Sequence, residues 1–111
     1  MSDYFPDTQA RQRYPLMDGV LTRTFWGQRM LCSLVELEVG CEVPRHAHPH
    51  EQVGFVLEGE VELTIGEERR WLRPGDLYIV PGGVEHAARV GEVPVRLLEV
   101  FSPIRADMQF V

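Results

Sequence analysis

Three histidines, His46, His48 and His50, fall within five residues, and the fourth histidine of the chain is His86. In an extended strand, residues two apart point to the same face, roughly 6–7 Å apart along the chain, so two such imidazoles can reach one ion. Gln52 continues the same parity, and parity alone makes His50 as eligible as its neighbours. All four histidines lie in turn-rich stretches. Pro44 precedes the first group and Pro49 lies within it, and Pro81-Gly82-Gly83 precedes His86. Such a cluster points to a metal site made where two loops meet. A second stretch with chemical potential is Val95–Phe101, where alternation sets Glu99 in line with Val95, Leu97 and Phe101. A carboxylate among apolar residues is costly unless it is paired or faces a polar pocket. If Arg96, Leu98 and Val100 form the inner face instead, Glu99 is merely solvated. The pocket-facing arrangement is the expectation.

The elements that must carry these residues read as short strands. Candidates are Val20–Trp26 and Arg29–Val39, joined at Gly27-Gln28, then Gln52–Leu57, Val61–Ile65, Arg69–Leu72, Leu77–Val80 and Val95–Phe101. Val61, Leu63 and Ile65 alternate with Glu60, Glu62 and Thr64, the period of a half-buried strand. Gly- and Pro-containing turns separate the strands, and no window carries a helical stripe. This pattern predicts an all-β closed barrel or sandwich. Residues 1–18, with Pro6 and Pro15 and little periodicity, read as an irregular N-terminal arm, and 19–111 as one barrel domain. A length of 111 residues suits one domain.

Composition narrows the chemistry. The formal net charge is −6, which argues against binding nucleic acid through its phosphates or docking on anionic membranes. All eleven basic residues are Arg, so Schiff-base lysine chemistry is excluded. No apolar run approaches a membrane span, and the polar first thirteen residues do not read as a secretory signal. Cys32 and Cys41 are expected to be reduced thiols, in a cytoplasmic setting.

Two spaced motifs give a resemblance. Gly40, five residues, His46-Ala47-His48, three residues, Gln52, six residues and Gly59 resemble the first cupin motif. Gly75, five residues, Pro81, one residue, Gly83, two residues and His86 resemble the second. The resemblance implies a cupin double-stranded β-barrel (jelly roll). It also implies one divalent transition metal (Ni, Zn, Fe, Mn or Co) held by His46, His48, Gln52 and His86. The family usually has Glu where Gln52 stands, and Asn where Val90 stands. With no anionic ligand the ion keeps its full double charge, which favours Lewis acidity. On the motif His50 is not a ligand and is left for a role beside the metal or the substrate.

The segment Glu99-Val100-Phe101-Ser102-Pro103-Ile104-Arg105-Ala106-Asp107, with His46-Ala47-His48-Pro49-His50-Glu51-Gln52, is similar to the pectin-degradation cupins of the KdgF type. Those proteins convert cyclic unsaturated uronates, released by pectate and alginate lyases, into linear keto forms. The resemblance implies that Glu99, Phe101 and Arg105 line the pocket as catalytic residues, and that the partner is a small sugar acid. The acidic residue is typically Asp, so Glu99 is one methylene longer. An iron-dependent cupin dioxygenase and a non-catalytic ligand-binding cupin are the competing readings. A homodimer is expected, because Met30, Cys32, Leu34, Leu98 and Val100 give the barrel a second apolar face that one interior cannot bury.

Overall fold

Each strand is built from the alternation that its sequence carries. In β2 (Val20–Trp26) the residues Val20, Thr22 and Thr24 are buried, and their neighbours are only partly so. In β3 (Leu31–Leu37) Leu31, Ser33, Val35 and Leu37 point inward. The computed structural model describes residues 4–111. Its other strands are β1 (Tyr14–Met17), β4 (Glu42–His46), β5 (Glu51–Glu58), β6 (Val61–Ile65), β7 (Glu68–Leu72), β8 (Leu77–Val80), β9 (His86–Val90) and β10 (Val95–Ser102). A 3-10 turn, Ala106–Met108, follows β10.

The strands form two antiparallel sheets, β1-β2-β3-β10-β5-β8 and β4-β9-β6-β7. This is the all-β jelly roll expected. The apolar core lies between the sheets and includes Val20, Val35, Leu37, Val56, Val61, Val90, Val95 and Leu97. A smaller cluster of Leu31, Phe101 and Met108 gathers Leu16, Ile104 and Phe110 around it. Both cysteines are free.

The N-terminal arm is shorter than residues 1–18. Tyr14–Met17 pairs with β2 as an edge strand, with a register irregularity between Pro15 and Met17. Proline lacks a ladder donor, which suits it to an edge. Residues 1–3 of the expected arm lie outside the described residues. Tyr14 stacks on Phe110 with ring centroids 3.8 Å apart, so the segment before β2 and the segment after the 3-10 turn cover the same end of the barrel.

Candidate metal centre and pocket

The histidines do not share one strand. His46 ends β4, the chain turns through 47–50, and β5 begins at Glu51. Strand parity therefore does not relate His48 to His50, whose ring centroids are 5.8 Å apart across the turn. A second loop meets this one. Gly83 donates its backbone N–H to the His48 carbonyl at 2.8 Å, and a Cβ on Gly82 would lie 2.3 Å from the Pro49 oxygen. Only glycine permits that approach. The contact brings β9, and His86 at its start, onto the first loop. His46 and His86 are also direct partners in the β4–β9 ladder.

His46, His48 and His86 converge so that one ligand atom from each lies within 4.8 Å of the others, a group able to hold a metal ion. His48 and His86 are buried, and His46 is exposed. Backbone carbonyls fix the tautomers. Nδ1 of His46 faces the Pro44 carbonyl at 2.8 Å, Nδ1 of His48 the His50 carbonyl at 3.0 Å, and Nδ1 of His86 the Val84 carbonyl at 3.0 Å. A carbonyl only accepts, so each Nδ1 carries the hydrogen and each neutral ring keeps its lone pair on Nε2. The Nε2 of His86 is buried with no hydrogen-bond partner.

Gln52, buried on β5, has a fixed orientation too. Its Nε2 donates to Glu99 Oε2 at 2.6 Å, which turns Oε1 toward His48. That oxygen lies 3.0 Å from His48 Nε2. Two lone pairs so close need a positive charge beside them, either a proton on the ring or a metal ion. Burial, followed by the Arg105 charge, lowers the His48 pKa, and burial likewise lowers that of His86. Both effects disfavour imidazolium, so the donor set fits a metal ion. His50 is outside the three-histidine group. Its carbonyl holds His48, and its own Nδ1 is buried without a partner.

Beside the histidines lies a cavity of about 260 Å³ whose wall includes His46, Gln52, His86, Tyr78, Glu99, Phe101, Arg105 and Asp107. Deeper in, it is lined by Val35, Leu37, Leu63 and Leu97. Glu99 is on the inner face of β10, as its alternation suggested. It is half-buried, and burial raises its pKa against the opposing hydrogen bonds from Tyr78 and Gln52. Phe101 stands between His48, whose ring centroid is 5.6 Å away, and Arg105, whose guanidinium carbon is 5.0 Å from the Phe101 centroid. Arg105 donates from Nη2 to Asp107 at 2.9 Å, while its Nε is buried and unpartnered. Burial acts to raise the Asp107 carboxyl, but its hydrogen bond from Arg105 brings it below the ordinary value.

Of the residues singled out from the sequence, His46, Gln52, His86, Glu99, Phe101 and Arg105 line the cavity, and His48 joins His46 and His86 in the three-histidine group beside it. Tyr78 is the residue that sequence reading missed. Its hydroxyl donates to Glu99 Oε2 at 2.5 Å. The available signal was Gly54, a glycine inside an apolar strand, which marks a close approach by another group.

A model of the cupin domain matches residues 33–101. The pectin degradation protein KdgF of Dickeya dadantii (strain 3937) is 30% identical over 109 residues, which is 96% of this chain and 98% of that protein. Among solved structures, KdgF from Halomonas sp. has a TM-score of 0.89 at 26% identity, covering 96% of this chain and 99% of its own. An RmlC-like cupin from Shewanella frigidimarina NCIMB 400 has a TM-score of 0.89 at 27% identity, covering 96% of each chain. The two-sheet barrel has its counterpart in these solved structures, and the chain belongs to the cupin family, as a small cupin resembling KdgF.

Proposed function

We propose that this cupin opens the ring of unsaturated uronate monosaccharides from pectin or alginate breakdown and converts them to linear keto acids. One observation carries the reading. A three-imidazole group able to hold a metal, a half-buried carboxyl and an arginine with an unpartnered N–H meet around one cavity. The likeness to KdgF along nearly the whole of both chains supports it.

The proposed ligands are His46, His48, Gln52 and His86, for one divalent transition metal among Ni, Zn, Fe, Mn and Co. Such an ion supplies Lewis acidity at a substrate oxygen, with no anionic ligand to diminish its charge. Arg105 binds the substrate carboxylate, for which its planar fork is suited. Phe101 packs against the guanidinium and keeps water from that side. Glu99 takes the proton of the hemiacetal hydroxyl. The ring C–O bond breaks, leaving an aldehyde at one end and an enolate at the other. The proton that Glu99 took, returned to the enolate carbon, gives the keto acid and leaves Glu99 as it began. The sum is an isomerisation and needs no oxidant. A carboxyl raised by burial is suited to taking and giving a proton near neutrality.

The reading carries with it a cytoplasmic location, a small-molecule partner and no role for nucleic acid or membrane. A homodimer belongs to it as well. Leu77 and Ile79 are 63% and 61% exposed on the outer face of β8. Val53 and Phe55 pair beside them on β5, and Val100 and Leu98 beyond those on β10. A second copy across a two-fold axis covers such a face at least cost.

The test follows the absorbance of the conjugated double bond in pectin- and alginate-derived monosaccharides, with metal-loaded protein. Loss faster than the spontaneous rate, and slowed by Glu99→Gln, is expected. A rate equal to the spontaneous one on every substrate overturns the proposal, and the dioxygenase or non-catalytic reading takes its place.

A further inference from the structure

Three residues form one row across three neighbouring strands. Glu99 on β10 is opposite Gly54 on β5, and Gly54 is opposite Tyr78 on β8. Strands lie about 4.8 Å apart, so Glu99 and Tyr78 are separated by two strand spacings. They nevertheless touch, because the Tyr78 ring lies across Gly54. A Cβ at position 54 would fall 1.9 Å from Tyr78 Cζ and 2.3 Å from its hydroxyl oxygen. Gly54 has no positive φ that would call for glycine. What requires glycine there is the space taken by the tyrosine.

The hydroxyl that crosses Gly54 donates to Glu99 Oε2 at 2.5 Å, and the Gln52 amide donates to the same oxygen at 2.6 Å. Among the described residues no hydrogen bond reaches Oε1. Tyr78 is 5% exposed, and Glu99 and Tyr78 both line the cavity. Burial, with Glu99 adding to it, pushes the phenol well above its ordinary value, so the hydroxyl stays a donor.

We infer that Tyr78 is a positioning residue for Glu99: with Gln52 it clamps Oε2, so that Oε1 alone is left to exchange the proton with substrate. This deepens the uronate reading and rests on it. A clamped carboxyl meets the enolate carbon from one direction. An unclamped one spends most of its time in other rotamers, so the loss falls on the chemical step rather than on binding.

The test is Tyr78→Phe, which keeps the ring over Gly54 and removes only the hydroxyl. Loss of a hydrogen bond to a charged group predicts a roughly ten- to hundredfold fall in kcat. KM should stay within twofold, and metal content should equal that of the wild type. Tyr78→Phe combined with Glu99→Gln should be no slower than Glu99→Gln alone. An activity-independent readout accompanies these. In ¹³C NMR at fixed pH, the Glu99 carboxyl resonance, assigned by its loss in Glu99→Gln, should shift in Tyr78→Phe. Unchanged kcat overturns the inference. So does a loss of activity that comes with lost metal or a raised KM, since that is a structural role. If the wild type is inactive on uronates, the functional reading fails separately and the resonance decides the clamp: a shift supports it, and an unmoved resonance overturns it.

Discussion

Gln52→Glu restores the acidic residue that cupins usually have at this position, and it should nevertheless impair this protein. The amide of Gln52 serves two neighbours at once, with its oxygen toward His48 and its N–H on Glu99 Oε2 at 2.6 Å. A carboxylate keeps the first contact and reverses the second. Two acceptor oxygens at that distance cannot both remain unprotonated. Two unit charges about 4 Å apart repel by about 4 kcal/mol at an effective dielectric constant of 20, roughly a thousandfold preference for keeping one proton on the pair. A bound ion offsets part of this repulsion, but it restores no hydrogen between the two oxygens. Glu99 therefore either shares a proton or swings away from Tyr78, and in both cases it stops serving as a base at neutral pH. Metal content measured on the purified variant should equal or exceed that of the wild type, while kcat at pH 7 falls at least tenfold on this reasoning. Activity should recover as pH rises, because the extra proton is then lost. A variant that keeps its metal and turns over at the wild-type rate with the wild-type pH profile refutes the double role of the amide.

Four further outcomes are expected. Chelation should lower the melting temperature, since an ion at a hundred times its dissociation constant stabilises the fold by about 2.7 kcal/mol, about 10 °C for a domain of this size; His86→Ala should melt at one temperature with or without added metal. Burial holds His48 and His86 neutral in the fold, so protons should compete with the ion, and its effect on melting should fade, only as pH falls below the ordinary imidazole value of 6.5. Arg105→Ala should raise KM for the uronate roughly ten- to hundredfold through loss of a charged hydrogen bond, with little change in metal content; an unchanged KM removes Arg105 from substrate binding. Light scattering at micromolar concentration should give twice the chain mass of 12.7 kDa, falling to one chain when Leu77→Glu and Ile79→Glu are combined, and a wild-type mass near one chain rules out the dimer.

Strands rich in β-branched, aliphatic and aromatic residues were legible in the sequence. Val20–Trp26 and Leu77–Val80 have the expected bounds, and Arg29–Val39 and Gln52–Leu57 differ by one or two residues at each end. β4 and β9 were not legible. Glu42–His46 contains Pro44 and is mostly exposed, and His86–Val90 runs through two alanines, so neither shows a period of two. What makes them strands is the ladder between them, a long-range contact. The histidine spacing was readable, but the reason His50 stands apart was not, because it depends on where β4 stops. Glu99 could be assigned to the inner face by alternation. Tyr78 could not be linked to it, since that contact spans two strands and forms only because Gly54 has no side chain.

β10 occupies the middle of the six-stranded sheet, between β3 and β5. Those two strands share no ladder of their own. In the order of synthesis, β1-β2-β3 and β5-β8 have no ladder to join them until residues 95–102 are present, so any ribbon formed earlier has an unsatisfied edge. Open edges of this kind can pair with other chains. The same insertion delivers Glu99 and Phe101 to the cavity, so the event that closes the edges also completes the pocket wall. A nascent chain halted before β10 would be both prone to association and without its carboxyl.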